Sequence, residues 1–155
     1  MSHQKVRLVK FQQSTTVTYV LEFGQGYLRF ITQGGSVVEP AIGITNITQA
    51  NPGVVSAVNT YTLNELVYIS GVVGMPQINN RYFIVTALTG ASFALADAFT
   101  AQPINTSGYD PYITGGIVQR VYTIGTPYLA SELAMLKFSQ NAAVMNITHP
   151  QSSSV

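Results

Sequence analysis

Side chains able to do chemistry are few in this sequence, and they stand far apart. The two histidines are at positions 3 and 149, and cysteine is absent. A metal site would need carboxylates or thiolates grouped beside a histidine, and neither His3 nor His149 has a Cys partner. His149 precedes Pro150 and reads as the cap of a strand end. Glu22 could be one carboxylate of an acid–base pair, but a cross-strand partner at Arg29 explains it as half of an ion pair. Asp97 and Asp110 fall in loop contexts, and Asp110-Pro111 is a turn signal. Gly24-x-Gly26 lacks the third glycine of a dinucleotide fingerprint, since position 29 is Arg. The triplets beginning at Asn46, Asn105 and Asn146 match the glycosylation acceptor, and in an Asn/Thr-rich chain with no expected leader they read as chance. Tyr61, Tyr68, Tyr109 and Tyr112 could form an aromatic platform for a sugar, or could serve as sheet core and interface aromatics. The expectation is a chain without catalytic residues, metal ligands or cofactor.

Composition narrows the class. Of 155 residues, 46% are hydrophobic and only 8% charged, against roughly 25% charged in ordinary soluble domains. Either the surface is built from Thr, Ser, Asn and Gln, or other subunits cover much of it. The formal net charge is +1, with seven Lys and Arg against six Asp and Glu and no basic run, so nucleic-acid binding is not expected. MSHQKVRLVKF has no apolar core of a signal peptide. The apolar stretch 82–99 is broken by Thr89-Gly90 and reads as two strands rather than a membrane span.

The elements that must position these residues are mostly strands. Thr16 to Ile31 reads as a hairpin closed by Gly24-Gln25, with glycine at the first central position of a type II′ turn. That turn pairs Leu21 with Leu28 and Glu22 with Tyr27. It sets Tyr19, Leu21, Phe23, Leu28 and Phe30 on one face, and Thr18, Val20, Glu22, Tyr27 and Arg29 on the other, with Glu22 diagonal to Arg29. Lys5 to Phe11 reads as a half-exposed strand with Lys5 and Arg7 opposed to Val6 and Leu8. Between Gly43 and Val121, short strand-like runs separated by turn clusters suggest a small barrel or sandwich. A short helix is expected to open at Pro127, capped by Thr126, or at Ser131. A last strand follows over 142–148, and 151–155 reads as a loose tail. Gly34-Gly35-Ser36-Val37 and Gly115-Gly116-Ile117-Val118 echo each other, as two strands side by side at the neck of an insert would.

Two segments resemble a bacteriophage tail-protein family. They are YVLEFGQGYLRFI at 19–31 and TPYLASELAMLKFSQNAAVMNITHP at 126–150. The family occurs at the start of tail nozzle (tail tubular B-like) and tail-stabilisation proteins. The residues matching its hairpin pattern are Tyr19, Leu21, Glu22, Phe23, Gly24, Tyr27, Arg29, Phe30 and Gly35. In the later segment they are Pro127, Tyr128, Leu133, Leu136, Phe138, Gln140, Val144, Met145, His149 and Pro150. Asn141-Ala142 stands where the family tends to have Ser-Ala-Asp. The middle, with ITQANPGVVSAV, LVYISGVVGMPQINNRYFIV and SGYDPYITGGIVQRV, is similar to the FCCH-like β-domain inserted in phage tail proteins and named after a ubiquitin-activating-enzyme subdomain. No activity travels with that name.

The resulting expectation is a mainly β chain. A discontinuous β base over 1–42 and 122–150, with one short helix, carries an inserted FCCH-like β-domain over 43–121. The resemblance implies a non-enzymatic structural component of a phage tail: a ring-forming nozzle, adaptor or tail-tip subunit in the virion. Its partners would be copies of itself and other tail proteins. The alternative is a fibre-attachment or host-surface glycan-binding module acting through the insert.

Overall fold

The structure is a computed structural model that describes residues 5–150. His3 and the expected tail over 151–155 lie outside the described residues. Fourteen strands follow in chain order: β1 (Arg7–Gln12), β2 (Thr18–Gly24), β3 (Tyr27–Thr32), β4 (Gly35–Ser36), β5 (Ile42–Gly43), β6 (Asn46–Ile47), β7 (Val54–Ser56), β8 (Leu66–Val73), β9 (Arg81–Thr89), β10 (Ser92–Asp97), β11 (Thr114–Arg120), β12 (Thr123–Gly125), β13 (Lys137–Asn141) and β14 (Val144–Thr148). Contacts divide the chain into two units, one ending at Val37 and resuming at Tyr122, the other running Val38–Val121. They are called base and insert below. The sequence places the first boundary after residue 42. Residues 38–42 group with the insert because Glu39 N–H donates to the Arg120 carbonyl at 2.8 Å and Ile42 pairs with Val118.

In the base, β1, β2, β3 and β12 form an antiparallel sheet, with β4 also paired to β3. The central hairpin forms, one pairing step away from the expected register. Gly24 pairs with Tyr27, Phe23 with Leu28, Glu22 with Arg29 and Leu21 with Phe30. The turn is therefore Gln25-Gly26, and the left-handed backbone falls on Gly26 at φ +76°, not on Gly24. Each partner has moved by two residues, so the faces survive: Leu21, Phe23 and Leu28 are buried. A one-residue slip would have turned them out.

Strand β1 runs opposite to the expected polarity. Arg7, Val9 and Phe11 face inward, while Leu8 is 59% exposed. Antiparallel strands β13 and β14 form a second, two-stranded sheet. Leu21, Phe23, Leu28, Leu133 and Leu136 make the buried core of the base, with half-buried side chains such as Phe138, Met145 and Ile147 packed on it.

No helix opens at Pro127. Thr126 N–H donates to the Gly26 carbonyl and Gly26 N–H to the Tyr128 carbonyl, both at 2.9 Å. These bonds tie 126–128, with a bend at Pro127, to the hairpin turn, and only a 3-10 turn at Leu133–Met135 follows.

The insert is one seven-stranded antiparallel sheet in the order β5-β11-β8-β9-β10-β7-β6. It is not closed into a barrel; the two-residue strands β5 and β6 are its edges. Strand β8 alternates buried and half-exposed residues from Leu66 to Ser70, as a strand with one covered face should, and shifts by one residue at Gly71 (φ +72°), so that Val72 is the next buried position. Strand β10 is buried at four consecutive positions, Phe93 to Ala96. Its small alanines allow close packing on both faces. The buried polar Thr106 is fully satisfied: its hydroxyl donates to the Thr48 carbonyl at 2.7 Å and accepts from Ala50 N–H at 3.1 Å.

Candidate functional site

The polar side chains of the hairpin pair with one another. On its outer face the Arg29 guanidinium lies 3.7 Å from the Glu22 carboxylate and 4.2 Å from the centre of the Tyr27 ring. The Tyr27 hydroxyl donates to Glu22 at 3.2 Å. Burial first, and the nearby Glu22 charge second, push the Tyr27 phenol above its ordinary value, so it stays a neutral donor. Gly24 is glycine because the Tyr27 ring lies across it: a Cβ there would come 2.1 Å from that ring. On the inner face Phe23 meets the Phe138 ring at 5.3 Å.

Arg7 joins the two ends of the chain. Its guanidinium donates to the carbonyls of Leu133 at 2.8 Å and Leu136 at 2.7 Å, and lies over Phe138 at 4.8 Å. The Gln140 amide pairs with the backbone N–H and carbonyl of Gln12. Tyr128 and His149 bring their rings within 6.1 Å of each other, while Pro127 and Pro150 remain exposed. The structure thus brings most of the expected family residues into one packed set, and assigns them to holding the base together.

Beyond the buried core, the inner face of the base sheet continues as a row of aromatics. Phe11 stacks on Tyr19 at 6.5 Å, Tyr19 meets Phe30 edge-on at 6.1 Å, and Phe30 meets Tyr122 at 5.8 Å. With Val37 and Gln13 they line an open groove of about 260 Å³. No charged side chain lines it. A groove of this kind can take an apolar or aromatic group. Of the six lining residues, Tyr19 and Phe30 stand out in the sequence as aromatics of the hairpin, and the other four do not. The available signal was the alternation of β1, which puts Phe11 in register with Tyr19.

In the insert the expected tyrosine platform divides. Tyr61 is 7% exposed, against Phe93 in the core, and its hydroxyl is buried without a hydrogen-bond partner. Burial raises its phenol to about 12, opposed by the Arg120 charge. Tyr68 stands half-exposed against Tyr82 at 4.9 Å. Tyr109 and Tyr112 pack partly buried on the core, the Tyr112 hydroxyl within reach of the carbonyls of Ile44 and Gly115. The charges of this unit also pair with one another. Arg120 binds Glu39 at 2.7 Å and Glu65 at 3.0 Å, and Arg81 lies 3.9 Å from Asp97.

Residues 50–122 match the family model described as the ubiquitin-activating enzyme E1 FCCH domain. The insert is FCCH-like. The match covers all of the insert from Ala50 onward; β5 and β6 precede it. The chain is also 27% identical over 134 residues to ubiquitin-like modifier-activating enzyme 6 of Homo sapiens, an alignment covering 84% of this chain and 12% of that protein. The alignment is thus confined to a small part of the human enzyme. In the FCCH-like domain, the open sheet, the paired charges and the buried Tyr61 are features of a packed scaffold.

Proposed function

We propose that this chain is a non-enzymatic structural subunit of a bacteriophage tail, acting in the virion as a ring-forming nozzle, adaptor or tail-tip component. The observation that carries the reading is that the two segments resembling the tail family, about a hundred residues apart, build a single core. Leu21 and Phe23 of the first pack with Leu133, Leu136 and Phe138 of the second. The 8% charge content and the uncharged aromatic groove add support, because charged residues are depleted at the cores of interfaces while aromatics are enriched. Its partners would be copies of itself and other tail proteins. Recognition of a host-surface glycan through Tyr61, Tyr68, Tyr109 and Tyr112 draws less support, because Tyr61 is buried. The test is to localise the chain in purified particles by mass spectrometry and by gold-labelled antibody. Label at the tail, at a fixed copy number per particle, is expected. A chain abundant in infected cells but missing from the particles would overturn the reading.

A further inference from the structure

Among the exposed apolar side chains of the insert, which include Val58 and Ile113, one stands out for size and exposure. Phe99 is 95% exposed, the most exposed of the large hydrophobics described. It does not sit on a loose loop. The Asp97 carboxylate accepts the N–H groups of Phe99 at 3.0 Å and Thr100 at 2.9 Å, and the Thr100 hydroxyl at 3.1 Å. Backbone bonds then close the turn, Ala101 N–H to the Asp97 carbonyl at 2.9 Å and Asp97 N–H to the Gln102 carbonyl at 2.8 Å. The backbone that carries the ring is thus already ordered, and binding has only the side-chain rotamer left to fix.

The base presents the complementary feature, an uncharged aromatic groove of about 260 Å³. An apolar cavity of about 150 Å³ already accepts benzene, so the groove has room for a phenyl ring. We infer that Phe99 of one copy inserts into the Phe11–Tyr19–Phe30–Tyr122 groove of a second copy. The inference rests on the structural-subunit reading and names its contact. The occupant is a second copy because knob and groove are on the same chain, match in size and polarity, and leave no charge unpaired when brought together: Asp97 already has Arg81. The two patches differ, so the contact is head-to-tail, the kind that closes into a ring or runs on as a filament. A buried phenylalanine supplies about 150–250 Å², a sizeable part of the roughly 800 Å² per partner of a standard interface. Phe99 is thus the anchor of the contact, not the whole of it.

The test is sedimentation of the full chain with two variants, Phe99→Ala and Gln13→Trp. Both positions are exposed, so neither change disturbs the core. The wild type is expected to self-associate with increasing concentration. Each variant alone should weaken that association by at least about tenfold, from the loss of one buried aromatic. Mixed together, the variants retain one intact knob and one intact groove between them, so they should form a heterodimer that grows no further. A wild type that stays monomeric, variants that assemble like the wild type, or a mixture that stays monomeric while the wild type assembles would each overturn the contact. Particle localisation is a separate measurement: the chain can be found in tails while Phe99→Ala still assembles, and then only this inference fails.

Discussion

The two units bury their apolar residues differently. The insert encloses sixteen buried side chains in one cluster, among them Phe83, Phe93, Ile69 and Met75. The base encloses five, and completes them with half-buried aromatics that continue into an open groove. Both are built mainly of antiparallel strands. The insert seals its core with its own strands, whereas the base leaves one end of its apolar face open. A core that is thin and partly open has little reserve against the loss of a single large side chain.

The largest effect should therefore come from Phe23→Ala, which empties a fully buried site at about 3–5 kcal/mol. Calorimetry is expected to lose the transition of the base and keep that of the insert. Phe83→Ala carries a similar nominal cost, yet should only lower the insert's transition; equal outcomes for the two changes would erase the contrast. Next comes Arg7→Met, which removes charged hydrogen bonds to the Leu133 and Leu136 carbonyls and should cost the base about 1.5–3 kcal/mol. Denaturant titration checks this; the bonds come from one guanidinium nitrogen, Nη1, so the three-donor ammonium of Arg7→Lys should recover part of the loss.

A third effect depends on pH and belongs to the insert. The Tyr61 phenol is raised to about 12 by burial, from an ordinary value near 10. A raised folded value means the stability is whole below pH ~10 and falls as pH rises toward ~12, because only the unfolded chain releases the proton in that window. Tyr61→Phe should flatten this alkaline decline while the base is unaffected. A decline equally steep in the variant would contradict it.

The smallest effect is at Asp97. Its carboxyl is held below the ordinary value, first by Thr100 N–H and then by Phe99 N–H. The turn's contribution is therefore whole above pH ~4 and lost as pH falls through the depressed value. Asp97→Asn should cost about 1 kcal/mol or less at neutral pH and reduce the acid sensitivity of the insert's unfolding.

Much of this fold was legible in the sequence where apolar alternation was strong. The faces of the β2–β3 hairpin follow from it directly; β8, β9 and β10 were legible instead as apolar runs bounded by turn clusters, and β10, buried at four consecutive positions, does not alternate. The turn did not, because both Gly24 and Gly26 could supply the needed backbone freedom. The choice was made by Tyr27 lying across Gly24 and by the backbone bonds of Thr126 and Tyr128 to Gly26. The same two bonds explain the missing helix at Pro127: local propensity over 129–136 was overruled by backbone pairing with a residue a hundred positions away. Strand β1 misled because Arg7 is charged, yet it turns inward to reach carbonyls that only the folded chain provides. Of the groove, Tyr19 and Phe30 were visible as strand aromatics. Tyr122 was not, since its place beside Phe30 depends on β12 pairing with β3.

The most direct test of the division into two self-contained cores is to replace residues 38–121 with a short Gly/Ser link. Tyr122 N–H donates to the Val37 carbonyl at 2.9 Å, so the ends to be joined already touch and closing them adds little strain or entropy. The shortened chain is expected to keep a sheet signal in far-ultraviolet circular dichroism, a near-ultraviolet aromatic signal and a cooperative melt. A shortened chain that is unfolded, while the full chain is folded, would show that the base borrows its stability from the FCCH-like domain and would contradict the two-core account.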